Sequence, residues 1–140
     1  MAMSDAEIRA LRDNAPVARL ATVNPDGTPH VVPIVFAMVG DVIYSPIDGK
    51  PKRAGRLARV RNITANPRAA LLIDHYEDDW SKLRWLRLDV VARVEIANTT
   101  AIAALAAKYP QYGNTPVLTA DRTMLALEPL RWVAWTAADG

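Results

Sequence analysis

The sequence predicts a mainly β fold, in which six or seven antiparallel strands and a few short helices form a small barrel. Residues 86–96 alternate between apolar and polar side chains, with Val91 as the exception, as in a long strand with one buried face. Asn24-Pro25-Asp26-Gly27 is a reverse-turn sequence between two stretches rich in β-branched residues, and it predicts a hairpin. The other apolar runs are short and end at Gly, Pro or Asn, which favours strands in meanders.

Composition narrows the class of protein. With 140 residues, of which 51% are hydrophobic and 23% charged, the chain is expected to form one globular domain over residues 1–140. It contains no cysteine and two histidines, which argues against disulfides, iron–sulfur clusters and a metal site. No apolar run is long enough for a membrane span and the N-terminus lacks the features of a signal peptide. A cytoplasmic protein without a membrane partner is therefore expected.

The first half of the chain is predicted to form one helix and a three-stranded meander. Ser4-Asp5-Ala6-Glu7 is a capping box, which predicts a helix from about Asp5 to Asn14. Pro29 and Pro33 cannot donate hydrogen bonds to a neighbouring strand, so the second strand is expected at an edge, at a bulge or beside a ligand. Tight turns separate the three predicted strands, at residues 17–23, 28–39 and 42–45.

The second half of the chain alternates predicted helices and strands. One helix is expected to follow the loop Ile47-Asp48-Gly49 and to end near Asn66, before Pro67. Asn98-Thr99 caps another helix over residues 100–109. Strands are predicted at residues 69–73, 86–96, 124–127 and 130–136, the last two being one strand or a pair separated by Glu128-Pro129.

One stretch of the sequence carries most of the basic charge. Residues 50–61 contain six of the 17 Lys and Arg and no acidic residue, so the rest of the chain, with eleven cations and 15 carboxylates, has a formal charge of −4. The cations fall at the predicted start of a helix, where the N-terminal turn favours anions. A phosphate held by these side chains and by first-turn N–H groups would compensate the positive charge at the helix start. The alternative is that the cations form a solvated basic face.

Five segments resemble, in their order, those of a known superfamily: residues 24–27, residues 50–61, residues 62–74, Asp79-Trp80 and residues 131–135. The superfamily is that of the pyridoxamine 5′-phosphate oxidase-like proteins, whose members form a split β-barrel that binds a flavin or a deazaflavin. The resemblance covers nearly the whole chain and is closest to the branch of deazaflavin (coenzyme F420)-dependent oxidoreductases.

The resemblance implies which residues hold the cofactor. In relatives the basic segment grips the cofactor's phosphate, and Lys52 and Arg59 are the foremost candidates for this role here. The cofactor ring lies against the backbone of the second hairpin strand. Relatives are homodimers with sites between the subunits, so that Trp80, Trp85 or Arg87 would reach the partner's cofactor. The cofactor-binding residues implied are Lys50, Lys52, Arg53, Arg56, Arg59, Ser45, Pro46, Val32, Pro33, Ile34, Val35 and Trp80.

The function implied by the resemblance is hydride transfer from reduced coenzyme F420 to a small organic acceptor. No residue stands out as a catalytic acid or base, and Asp79 is expected to cap or pair locally. The first alternative is an FMN-dependent oxidase or flavin reductase of the same fold. The second is a non-catalytic module that stores the cofactor or binds haem through His30 or His75. Nucleic acid is disfavoured, because the net charge is only +2 and the basic stretch lacks interleaved aromatic residues.

Overall fold

The computed structural model describes residues 3–47, 57–96, 98–118 and 122–138. Within them the helices are α1 (Asp5–Asn14), α2 (Ala58–Ala65) and α3 (Thr99–Lys108). The strands are β1 (Ala18–Val23), β2 (Pro29–Ile34), β3 (Ala37–Val39), β4 (Val42–Pro46), β5 (Arg68–His75), β6 (Arg84–Ile96) and β7 (Thr123–Thr136). Two short 3-10 turns follow β5 and α3, at Trp80–Lys82 and Pro110–Gly113. The predicted mainly β class is confirmed.

The described strands join one antiparallel sheet of seven strands in the order β2-β1-β5-β6-β7-β4-β3. The long strand β6 pairs with β5 on one side and along its whole length with β7 on the other. The register shifts between Asp89 and Val90, which leaves Leu130 of β7 as an extra residue beside Pro129. Because proline cannot donate to the ladder, a bulge at this point is expected. The last strand is therefore continuous rather than a separated pair.

The single strand predicted over residues 28–39 is wrong, because the chain forms two strands that belong to opposite edges of the sheet. β2 pairs with β1 at one edge, and β3 pairs with β4 at the other. Only Val35 and Phe36 separate Ile34, which ends β2, from Ala37, which begins β3. Three Cα-to-Cα steps span at most about 11 Å. The two edges of the sheet therefore meet here and close a barrel, in place of the predicted three-stranded meander.

The two residues that join β2 to β3, here named the Val35–Phe36 corner, are hydrogen-bonded by side chains rather than by a strand ladder. Ser45 Oγ on β4 donates to the carbonyl oxygen of Val35 at 2.8 Å. Tyr109 Oη, just after α3, accepts the N–H of Phe36 at 3.1 Å and lies 2.9 Å from the carbonyl oxygen of Pro16. Phe36 is fully buried, so its backbone would otherwise lack partners. Side chains thus stabilise the point at which the barrel closes.

The inner face of the barrel holds the residues that the alternating pattern predicts. Leu86, Leu88 and Val90 of β6 are fully buried, while Arg87 between them is exposed. Ile96 departs from the pattern, since this last residue of β6 is exposed. Further members of the main core are Leu20, Ile34, Phe36, Ile43, Val60, Ile63, Leu71, Ile73, Leu125 and Leu127. A second cluster packs α3 against β3 and β4 and contains Ala37, Tyr44, Ala101, Leu105, Tyr109, Met124 and Ala126.

Two helices begin where their predicted caps lie. Ser4 and Glu7 exchange the two hydrogen bonds of a capping box at the start of α1, each 3.1 Å long. Asn98 caps α3 by accepting the N–H of Ala101. None of the helices in the described ranges is long and apolar enough to cross a membrane.

The helix α2 begins later than predicted. Leu57 has extended backbone angles and occupies the cap position, so the helix starts at Ala58 rather than after residues 47–49. A start near residue 50 would place four cations in the first turns, where the helix dipole disfavours positive charge. Gly55 lowers helix propensity in the same part of the sequence. The cations before Leu57 lie outside the described residues.

Replacing Tyr109 with phenylalanine removes the hydroxyl that hydrogen-bonds the buried N–H of Phe36. We expect the free energy of unfolding to fall by about 1–3 kcal/mol, the usual cost of leaving a buried polar group without a partner. Urea unfolding followed by tryptophan fluorescence measures this change. Tyr76→Phe is the control, because Tyr76 is largely exposed. An equal effect of the two substitutions would contradict the role assigned to Tyr109.

Candidate cofactor-binding site

The basic stretch, residues 50–61, follows β4 and continues into the first half of α2. The described residues that flank its undescribed part are Ile47, whose N–H donates to the carbonyl oxygen of Thr123 at 3.2 Å, and Leu57. Arg59 lies in the first turn of α2 and is half-buried. Its predicted contact with a phosphate stays a prediction. The other predicted cations lie outside the described residues: Lys50, Lys52, Arg53 and Arg56.

The N-terminus of α2 differs from those of α1 and α3 in lacking a side-chain cap. Leu57 makes no capping hydrogen bond, and the first turn contains no acidic residue. Ser4 and Asn98 fulfil the capping role in the other two helices. Uncapped first-turn N–H groups carry partial positive charge and favour an anion. An anion bound there would lie at the same turn as Arg59.

Asn62 attaches α2 to the first hairpin. Its side chain is fully buried, and its Nδ2 donates to Thr22 Oγ1 at 3.0 Å and to Asn24 Oδ1 at 2.9 Å. Asn24 in turn donates to Thr28 Oγ1 across the hairpin turn at 3.1 Å. Buried side-chain networks of this kind fix the relative position of the elements that they join. The network therefore sets where the first turn of α2, with Arg59, lies relative to β1.

His30 lies on β2 directly opposite Thr22 on β1. Opposite residues of an antiparallel pair share one face of the sheet, so His30 faces the inner side with Thr22. In the described part of the chain, His30 Nδ1 and Asn62 Oδ1 are buried without a hydrogen-bond partner. Two unsatisfied polar atoms thus belong to side chains that adjoin Thr22, at the junction between the hairpin and α2.

The strand predicted to lie against the cofactor ring, β2, is an edge strand, which confirms the position indicated by Pro29 and Pro33. Ile34 is buried and Val32 packs against the core, whereas Pro33 and Val31 are exposed. Among the described strands, β1 alone pairs with β2. No described strand therefore pairs with the backbone on the other side of β2.

Ser45 and Val35 are brought into direct contact inside the barrel. Ser45 is 1% exposed, and its hydroxyl is engaged with the carbonyl oxygen of Val35. The adjacent Pro46 is also buried, and Val35 packs against the second core cluster. A phosphate could reach the hydroxyl of Ser45 only by breaking the bond to Val35. The role that the geometry supports for Ser45 is to hold the corner, and phosphate contact stays a prediction.

Trp80 lies on the 3-10 turn between β5 and β6 and is largely exposed. Its indole N–H donates to Tyr76 Oη at 3.4 Å. Asp79 caps this turn, as the sequence indicates, by accepting from the hydroxyl and the N–H of Ser81. These two bonds, the hydroxyl first, lower the pKa of Asp79. Its carboxyl is therefore ionised near neutral pH and is a poor proton donor.

An open groove of about 560 Å³ crosses the outer face of β2, β1, β5 and β6. Arg19 and Asp74 form an ion pair of 2.9 Å on this face. The guanidinium carbon of Arg87 lies 5.8 Å from the centre of the Trp85 ring. Trp85 and Arg87, which the resemblance places near a partner's cofactor, thus both line the groove. Its apolar lining includes Ala21, Val31, Ala70 and Leu72.

Sequence patterns do not single out the polar residues that hold the site in place. Asn62 lies between Val60 and Ile63, both buried, and this position on a core-facing helix is the one sign of its burial. The helical spacing of Tyr109 indicates that its ring packs inward, but it does not identify the distant backbone groups that the hydroxyl contacts. Contacts between residues far apart in the chain carry no local signal.

Replacing Asn62 with alanine removes the hydrogen bonds to Thr22 and Asn24. We expect the free energy of unfolding to fall by about 1–3 kcal/mol, because the partners are left unsatisfied. Urea unfolding measures the change. Arg61→Ala is a matched control, since Arg61 is the preceding residue of the same helix and is exposed. Equal stability of the two variants would contradict the anchoring role of Asn62.

Solved structures share this fold. The conserved hypothetical protein Rv2991 from Mycobacterium tuberculosis is 21% identical, with a TM-score of 0.75 over 98% of this chain and 87% of that chain. HutZ, the haem storage protein from Vibrio cholerae, is 19% identical, with a TM-score of 0.68 over 94% and 93% of the two chains. An F420 reductase is 25% identical, with a TM-score of 0.63 over 89% and 94%. A search of the curated proteins by sequence found no match.

The family match extends over residues 4–136, from the capping box of α1 to the end of β7. The seven antiparallel strands, closed at the Val35–Phe36 corner, are consistent with the split barrel that the sequence resemblance implies. The match is to the pyridoxamine 5′-phosphate oxidases and includes both the hairpin and the basic stretch. The chain therefore belongs to the pyridoxamine 5′-phosphate oxidase family.

Proposed function

We propose that the protein binds coenzyme F420 and transfers a hydride between this cofactor and a small organic acceptor. The observation that carries the proposal is the cluster of six cations at residues 50–61, which continues into a helix N-terminus without a side-chain cap. The 25% identity to an F420 reductase, over 89% of this chain, supports the choice of cofactor.

The number of cations favours a cofactor with several negative charges. Coenzyme F420 carries a phosphodiester and an oligoglutamate tail, whereas FMN carries one phosphate monoester. Arginine and lysine form charge-assisted hydrogen bonds with such groups, and the first-turn N–H groups of α2 add donors. The buried bonds of Asn62 hold this helix against the hairpin. Phosphate and ring would thus be held by parts of the chain that are connected through β1.

The open edge of β2 provides a surface for the cofactor ring. The strand is fixed on one side by its ladder with β1 and at its end by the bonds to the Val35–Phe36 corner. When bound, the deazaflavin supplies the hydride chemistry. The protein then has to hold the ring and the acceptor in a reactive orientation, which needs rigid backbone more than a catalytic acid.

An FMN-dependent oxidase or flavin reductase is the second candidate. The family match over residues 4–136 favours this candidate, because the family is named after an oxidase, the pyridoxamine 5′-phosphate oxidase. One phosphate monoester would, however, use fewer of the six cations. We therefore prefer coenzyme F420 and treat tighter binding of FMN as the outcome that would select the second candidate.

Replacing Lys52 and Arg59 together with glutamine tests the phosphate-binding role. We expect the Kd for coenzyme F420 to rise at least about a hundredfold, because each of the two charge-assisted bonds to phosphate contributes about 1.5–3 kcal/mol. Fluorescence anisotropy at moderate salt measures the Kd, and urea unfolding checks the fold. The control Arg9→Gln/Lys82→Gln removes the same charge from exposed positions. Unchanged binding in the first variant, or equal weakening in both, would contradict a specific phosphate site.

We also propose that two copies of the chain associate through the groove face, so that each cofactor site lies near the partner subunit. The solvent-facing side of an antiparallel sheet is normally polar. Here Val31 is 60% exposed and Leu72 is 37% exposed, next to Ala21 and Ala70 on neighbouring strands. A contiguous apolar patch of this kind favours a protein partner. A second copy fits it, because the family resemblance implies homodimers.

Leu72→Asp tests the association, because it places a charge among the apolar residues that line the groove. We expect the wild-type protein to have twice the mass of one chain in analytical ultracentrifugation, and the variant to have the mass of one chain. Ile96→Asp is the control, since Ile96 is exposed at the far end of β6, outside the groove. A monomeric wild-type protein, or a dimer that both substitutions leave intact, would contradict the proposed interface.

A further inference from the structure

We propose that Lys108 is a positioning residue, whose charged amine holds the Val35–Phe36 corner and thereby the strand on which the cofactor ring would lie. This inference rests on the proposed function for its effect on the cofactor. The hold of Lys108 on the corner rests on contacts within the chain alone.

Lys108 is the last residue of α3, and its side chain reaches across to the corner. Its Nζ donates to the carbonyl oxygen of Phe36 at 3.0 Å. The same atom lies 3.6 Å from the centre of the Phe36 ring and 5.3 Å from that of Tyr109. The amine thus contacts both the backbone and the ring of one buried residue. A cation in contact with an aromatic face is attracted to it in addition to its hydrogen bond.

The carbonyl oxygen of Phe36 needs Lys108 as a donor, because the hydroxyl of Tyr109 has only one proton to donate. The hydroxyl of Tyr109 lies 2.9 Å from the carbonyl oxygen of Pro16 and 3.1 Å from that of Phe36. A tyrosine hydroxyl has one proton, so it serves one of these oxygens at a time. The ammonium group has three donors and contacts the oxygen of Phe36. With Lys108 bonded there, Tyr109 can donate to Pro16, and both carbonyls are satisfied together.

The surroundings of Lys108 make its charge sensitive to pH. Burial lowers the pKa of the amine to about 8, while the Asp13 carboxylate on α1 acts in the opposite direction. Asp13 itself lies 3.6 Å from Arg12 Nε, which reduces its effect. Burial raises the pKa of Tyr109, so its hydroxyl stays neutral in this range. Near pH 7 the amine is therefore mostly charged, and it loses its proton as the pH rises through about 8.

Loss of this proton has opposite effects on stability and on the corner. The folded protein holds fewer protons than the unfolded chain between pH 8 and the ordinary lysine pKa of 10.5, so the free energy of unfolding rises over that interval. A neutral amine, however, donates a weaker hydrogen bond than an ammonium group. The corner is thus held less firmly at high pH although the fold as a whole is not weakened.

The experiment compares the wild-type protein with Lys108→Met, Lys108→Arg and the exposed control Lys82→Met. Amide hydrogen exchange of Phe36 in the free protein reports the corner, and titration with coenzyme F420 from about pH 6.5 to 9.5 reports binding. For Lys108→Met we expect about tenfold faster exchange and about tenfold higher Kd at pH 7. The wild-type Kd should rise through pH 8, whereas Lys108→Arg, which stays charged, should bind without that rise.

The outcomes separate this inference from the proposed function. Unchanged exchange of Phe36 and unchanged Kd in Lys108→Met, or the same pH profile in that variant and the wild type, would overturn the role of Lys108. Absence of any F420 binding by the wild type would instead overturn the proposed function, and with it the cofactor part of the inference. In that case the exchange rates still decide whether Lys108 holds the corner.

Discussion

The architecture depends on side-chain hydrogen bonds to the backbone of the Val35–Phe36 corner. Two residues carry the chain from one edge of the sheet to the other, so the sheet has to curve until its two edges meet at this corner. Strand ladders do not extend to these residues, and water does not reach the buried backbone of Phe36. Ser45 and Tyr109 provide the bonds instead, and they come from β4 and from the end of α3. Side chains from elements distant in sequence thus provide the hydrogen bonds of this two-residue corner.

The same constraint places the parts of the candidate site relative to each other. β2 ends at the corner, and its partner β1 carries Thr22, to which Asn62 attaches the basic helix α2. A displacement of the corner would therefore move the ring-binding edge relative to the helix N-terminus at which a phosphate would bind. In the proposed site, the rigid backbone of β2 holds the cofactor ring and the basic stretch holds the phosphate. Such an arrangement suits hydride transfer, where orientation accounts for much of the rate.

Sequence patterns correctly predicted the elements that depend on contacts between residues close together in the chain. The capping box at Ser4, the turn at residues 24–27 and the alternation along β6 are all present as predicted. The break at the Val35–Phe36 corner could not be predicted, because the run of β-branched residues continues through it and the groups that stabilise it are distant in sequence. The charge of the basic stretch indicated an anion site, but the anchoring of α2 by Asn62 is a tertiary contact without a local pattern. The strand pattern predicted a small antiparallel barrel, and the family resemblance specified a split barrel.

The central claim is that the barrel and its basic stretch together bind a deazaflavin. The most direct test is a fluorescence titration of the wild-type protein with coenzyme F420 and, separately, with FMN under the same buffer and salt. We predict saturable binding of coenzyme F420, with a Kd at least about tenfold below that for FMN. Tighter binding of FMN would move the protein to the flavin-dependent branch of its family. Binding of neither cofactor would contradict the account and leave the split barrel without its proposed ligand.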